Sequence, residues 1–192
     1  LTYTHNGSAT TSDSFTYTVQ DDQGAVSNVA TVSLLVGAQP ITTNGLVFRL
    51  EPDVGLVTSG STVTGWNDQS GLGNDLVSAG RPQLVTAVDL NNHLVVDFNG
   101  VNDKLERTGV LSGLPTGNAN RTVYLVAKYR GIGFGGFTYG NASCNQVFGT
   151  IVDNVGNLVA QGWCSQNDYA SAAVGTGSGW LIQSVVHEAG VM

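Results

Sequence analysis

Between Gly65 and Leu105 the chain alternates short apolar runs with loops built from Asn, Asp, Gly and Ser: G-W-N-D-Q-S-G-L-G-N-D-L, then R-P-Q-L-V, then H-L-V-V-D-F-N-G-V-N-D-K-L. That punctuation leaves no room for a long helix, and nowhere do apolar residues recur at i, i+3, i+4 and i+7 over three turns. A period of two recurs instead. Phe15, Tyr17 and Val19 oppose Thr16 and Thr18; Leu46, Phe48 and Leu50 oppose Val47, Arg49 and Glu51; Leu94, Val96 and Phe98 oppose Val95, Asp97 and Asn99. With 26 glycines and a single methionine, the composition suits strands joined by tight turns. An all-β chain with scarce helix is expected.

Charged residues make up 11% of the chain, against roughly 25% in ordinary soluble domains. Polarity therefore comes from Asn, Gln, Ser and Thr, a neutral surface that is sugar-like in its hydrogen bonding. The net charge of -7 and the scattering of Arg49, Arg81, Lys104, Arg107, Arg121, Lys128 and Arg130 argue against nucleic acid as a partner. An acidic surface attracts divalent cations instead. No apolar run reaches the length of a membrane span. The chain opens on Leu1 without a signal-like segment, and its last strand pattern is unfinished at Val191-Met192, so a piece of a longer multi-domain protein is expected.

The first 36 residues read as strand, turn, strand, turn, strand, with Asp21-Asp22-Gln23-Gly24 as the second turn. The motifs L-T-Y-T-H-N-G-S, D-S-F-T-Y-T-V-Q-D-D-Q-G and A-T-V-S-L-L-V resemble the C-terminal half of the cadherin-like, immunoglobulin-type repeats found in tandem in large bacterial adhesins. The resemblance implies a stalk module and nominates Asp13, Asp21 and Asp22 as calcium ligands. The residues themselves also allow a plainer reading, in which Asp13 caps a strand entry and Asp21-Asp22 is a solvated turn. Residues 37–45, with Pro40 and two glycines, read as a linker.

From residue 46 to 192 a second pattern emerges. L-V-F-R-L-E-P-D-V-G-L, W-N-D-Q-S-G-L-G-N-D-L, R-P-Q-L-V and V-V-D-F-N-G-V-N-D-K-L, in that order, resemble the laminin-G-like group of concanavalin A-like jelly rolls. The expected architecture is thus a partial immunoglobulin-like β-sandwich remnant (1–36), a linker (37–45) and an incomplete jelly-roll β-sandwich (46–192). Asp68 and Asp103 join the candidate calcium ligands. D-x-S-G-x-G-N-D is also a self-sufficient folded loop, since Asp68 and Ser70 can each bond a backbone N–H two residues on. Asn99 stands where this group more often has Asp before the glycine, which removes one anionic oxygen.

Gly131 to Asn141 reads as a glycine-rich loop carrying aromatic rings. Phe134, Phe137, Tyr139 and Asn141 are candidate ligand contacts, because rings beside glycines make a platform for a sugar face. The alternative is that Phe134 and Phe137 fold back over the sandwich edge. Val147 to Val152 and Leu158 to Trp163 read as a hairpin about residues 153–157. That hairpin places Cys144 and Cys164 near the ends of its strands, so a disulfide suited to an extracellular compartment is plausible. Their separation excludes a C-x-x-C redox pair.

Chemistry is not expected. Glycosidases of the jelly-roll architecture set three carboxylates on one strand face, whereas here Glu51-Pro52-Asp53 has no third member. His5, His93 and His187 lie in unrelated contexts, and no G-x-S-x-G elbow occurs. The sequence therefore suggests a non-catalytic adhesion or binding module of an extracellular bacterial surface protein, taking glycan or a cell-surface protein, with calcium as a structural ion. The alternative is an accessory binding domain of a secreted glycan-degrading enzyme.

Overall fold

The computed structural model describes residues 12–35, 43–133, 135–141, 143–161, 169–173, 177 and 179–188. The fold is all-β and antiparallel; a 3-10 turn at Val88–Leu90 is the one helical element among the described residues. Among the described residues no helix is long and apolar enough to cross a membrane. The chain divides into two compact units, Leu1–Gly45 and Leu46–Met192.

In the first unit β1 (Ser12–Tyr17) pairs with β2 (Ala30–Leu35), Phe15 opposite Val32. Its turn is organised by Asp21, whose Oδ1 accepts the N–H groups of Gln23 (3.0 Å) and Ala25 (2.8 Å). Phe15, Val32 and Leu34 are only half-buried and Tyr17 is exposed. A pair of strands cannot close a core by itself.

The second unit begins with a departure from the expected pattern. Leu46 to Leu50 alternates like a strand yet joins no ladder. Its backbone groups are already engaged: Arg49 N–H donates to Asp68, Gln69 N–H donates to Arg49 O, and Val47 O accepts from Ser70 and Asn74 side chains. Beyond it, β3 (Leu56–Ser59) pairs with β4 (Thr62–Trp66), and β4 lies inside a sheet that also contains β5 (Leu76–Ala79), β6 (Gln83–Ala87), β7 (His93–Asp97) and β8 (Lys104–Glu106), in the order β7-β6-β4-β5-β8. Val63 of β4 is fully buried.

The remaining strands form two further sheets. β9 (Arg121–Ala127) pairs with β14 (Leu181–His187), and β10 (Gly135–Gly140), β11 (Val147–Val152), β12 (Asn157–Gln161) and β13 (Tyr169–Ala173) lie side by side in that order. Phe148, Ile151, Val152, Val159 and Ala160 make β11 and β12 the apolar centre of this part. Burying such side chains contributes about 1.5 to 3 kcal/mol each.

β10 corrects the expectation of a loop through Gly131 to Asn141. Tyr139 and Phe137 alternate with Gly and Thr as a strand requires, and Tyr139 pairs with Phe148 in register. The glycines are there for close approach. A Cβ on Gly136 would lie 2.2 Å from Thr150 O, and one on Gly140 would lie 2.1 Å from Gln146 O. Any larger residue would push β10 off β11.

Candidate functional site

A cleft of about 310 Å³ opens where β12 and β13 meet β14. Its deepest part comes from a polar interruption of two apolar strands. On β11, Thr150 sits amid Phe148, Ile151 and Val152 and is 3% exposed; on β14, Gln183 falls on the inward face with Leu181 and Val185 and is 5% exposed. Buried polar groups need partners, and these two find each other. Thr150 Oγ1 donates to Gln183 Oε1 at 2.9 Å, and Gln183 Nε2 donates to the Tyr129 hydroxyl at 2.6 Å. Burial pushes the Tyr129 phenol above its ordinary range, opposed in part by that bond from Gln183. The phenol stays neutral throughout the physiological range.

Around this floor stand Leu158, Tyr169, Ser171, Ile182 and Ser184. Tyr169 and Ile182 are 62% and 78% exposed and form the rim. Among the described residues that line the cleft none is charged. Such a surface offers hydroxyl and amide groups beside an aromatic and an aliphatic wall. It can bind a neutral polar molecule with one apolar face, and its described residues include no carboxylate or imidazole to move a proton.

The residues singled out from sequence lie elsewhere. Phe137 stacks on Phe48 (5.7 Å between centroids, 22° between planes), and Tyr139 tilts against Phe137 at 6.0 Å and Phe148 at 5.6 Å. Tyr139 also donates its hydroxyl proton to Pro115 O at 2.8 Å and accepts from Arg121 Nη1 at 2.8 Å, while the Arg121 guanidinium lies 5.0 Å from the Phe148 ring centre. Both rings are half-buried parts of an aromatic row. Phe137 and Tyr139 thus pack against neighbouring rings and are not fully exposed. Asn141 is exposed and turns the chain with Gln146, to whose carbonyl its N–H donates at 2.9 Å. Phe134 lies outside the described residues. Cys144 is not a free thiol; Cys164, the partner expected for it, lies outside the described residues.

The five nominated carboxylates are divided between the two units. Asp13, Asp21 and Asp22 belong to the first unit, Asp68 and Asp103 to the second; among the described residues no three His, Cys, Asp or Glu side chains are grouped to hold a metal ion. Asp13 Oδ1 accepts Ser14 N–H at 2.7 Å, and Asp22 is an exposed turn residue. Asp103 accepts Arg81 N–H at 2.6 Å on one oxygen and Asn99 N–H at 3.0 Å on the other.

Asp68 is the most committed of all. It is 8% exposed, and each oxygen accepts twice: Oδ1 from the N–H groups of Arg49 (2.9 Å) and Ser70 (2.9 Å), Oδ2 from Ser70 Oγ (2.6 Å) and Asn74 N–H (3.1 Å). Burial pushes its carboxyl up, but the hydroxyl of Ser70 and the three N–H groups outweigh this and hold it below the usual carboxylate range. Beside it Asn74, fully buried, donates to Val47 O (3.2 Å) and Ser112 O (2.9 Å) and accepts Ser112 N–H (2.8 Å). The D-Q-S-G-L-G-N loop is thus tied to two distant segments by its own side chains.

Thr150, Gln183 and Tyr169 were not singled out by sequence reasoning. The one available signal was a polar residue on the inward face of an otherwise apolar alternation, which Gln183 gives within Leu181 to His187. Compared with known proteins, the chain matches no family model, no curated protein and no solved structure.

Proposed function

We propose that the second unit is a non-catalytic binding module of the laminin-G-like jelly-roll kind, carried by an extracellular bacterial surface protein whose cadherin-like first unit serves as a stalk. Its ligand is a neutral glycan, free or displayed on a cell-surface protein. The observation that carries this reading is a cleft whose described lining residues are uncharged, with Thr150 and Gln183 at its floor and the exposed Tyr169 and Ile182 at its rim. A sugar ring offers hydroxyls for the amide and hydroxyl groups and an apolar face for the phenol ring. The low charge content of the whole chain supports the same class of ligand.

Two accessory features belong to the proposal. A Cys144–Cys164 bridge would secure the connection before β11 in an oxidising compartment. Calcium, implied by the resemblance, would act as a structural ion; of the five nominated carboxylates Asp22 is exposed and accepts no hydrogen bond among the described residues.

The test is titration of the chain with neutral oligosaccharides, followed by calorimetry. Tyr169→Ala is expected to weaken binding by about tenfold or more, a rim contact worth above ~1.4 kcal/mol, with an unchanged melting temperature. Undiminished affinity in Tyr169→Ala, or no binding to any neutral glycan, would overturn the proposal.

A further inference from the structure

Two Asn-Gly pairs lie among the described residues, and they form a natural control for each other. Asn44 and Asn99 are both exposed. Gly45 and Gly100, which follow them, have nearly the same left-handed φ, 75° and 71°, and open space around the position of a Cβ. They differ in the side chain of the asparagine. Asn99 Oδ1 accepts the N–H groups of Val101 (2.8 Å), Asn102 (3.1 Å) and Asp103 (3.2 Å), and its Nδ2 donates to Asn102 Oδ1 at 2.8 Å. The Asn44 side chain makes no hydrogen bond among the described residues.

We propose that Asn44 is a site of spontaneous deamidation and that Asn99 is protected from it. The Gly45 backbone nitrogen attacks Asn44 Cγ, a C–N bond forms, and the side-chain amide nitrogen leaves as ammonia, giving a five-membered succinimide. Water then opens the ring at either carbonyl, yielding aspartate or isoaspartate. The glycine matters because it has no Cβ to block the approach. At Asn99 the same attack requires the carboxamide to turn and give up four hydrogen bonds. Each contributes enough that conversion is expected to be at least about tenfold slower than at Asn44.

The position gives the change a consequence. Gly45 is the last residue of the first compact unit. Conversion to isoaspartate inserts an extra main-chain methylene at this boundary, and either product adds a negative charge to a chain already at -7. Deamidation would thus act as an irreversible clock on the junction.

The experiment is a time course of the intact chain at mildly alkaline pH, read by peptide mass mapping with enzymatic isoaspartate labelling. Mapping separates both sites from Asn6-Gly7, which lies outside the described residues. Conversion at Asn44 should lead that at Asn99 by about tenfold or more, and Asn44→Gln should remove the leading product. In denaturant the two pairs should convert at similar rates, since the lock on Asn99 is structural. If Asn99 converts as fast as Asn44 or faster in the folded chain, the proposal is wrong: the three N–H groups would then act as a cradle for the developing oxyanion. Equal persistence of both amides in the folded chain would overturn it too.

Discussion

The Asp68 loop and the cleft floored by Gln183 both bury polar side chains, and they use them in opposite ways. In the loop every oxygen of Asp68 accepts from the chain itself, and Asn74 joins the backbones of Val47 and Ser112. In the cleft Thr150 and Gln183 bond each other as a floor beneath open space, and Gln183 is held in turn by the Tyr129 hydroxyl. The difference teaches that a motif rich in Asp, Ser, Gly and Asn is strong evidence for a fold and weak evidence for a ligand. Its polar atoms have short-range work to do.

The largest expected effect falls on the loop. Asp68→Ala leaves one buried and two part-buried N–H groups without their acceptor and should cost about 3 to 5 kcal/mol, read as a lower denaturant midpoint. The loss should be the same with calcium and with chelator if Asp68 is a staple; a calcium-dependent loss would make it a metal ligand. Next in size, Phe137→Ala removes a half-buried ring from the row with Phe48 and Tyr139, at about 2 to 3 kcal/mol, without selective loss of ligand. An unchanged stability would restore Phe137 as an exposed contact residue.

In the cleft, Thr150→Val keeps the shape but leaves Gln183 Oε1 buried without its donor, at about 1 to 3 kcal/mol by denaturant unfolding. This is the cleft's counterpart to Asp68→Ala. The smaller cost reflects one lost bond in place of four.

A pH series separates the regions again. Asp68 has a folded-state pKa below its unfolded value of about 3.9, so its contribution is complete at neutral pH and is lost as pH falls through the folded pKa. Asp89, held low by bonds from Lys128 and Trp180, and Asp153, where burial is outweighed by donors from Asn157, Val155 and Gly156, act in the same direction. Stability should therefore fall on acidification below about pH 4. Asp68→Asn should flatten that fall, whereas Tyr169→Ala should leave it unchanged. An equally steep acid limb in Asp68→Asn would remove Asp68 from the account.

Parts of this were legible in the sequence for physical reasons. The hairpin of β11 and β12 was readable because its apolar runs flank Asp153 to Gly156, a turn whose residues bond their own backbone. β10 was not, because its glycines serve close packing against Thr150 and Gln146, and glycine in isolation signals a turn. Leu46 to Leu50 misled in the other direction. Its alternation is real, but the side chains of Asp68, Ser70 and Asn74 take the backbone groups that a ladder would use. The cleft draws on strands distant in sequence, and its floor depends on a Thr150–Gln183 bond that no local pattern announces.

Backbone amide shifts followed during titration with a neutral oligosaccharide test the central contrast most directly. The account predicts saturable shifts centred on Thr150, Tyr169, Gln183 and Ser184, with residues 67–75 unmoved. Shifts centred on the Asp68 loop, with the cleft silent, would contradict it.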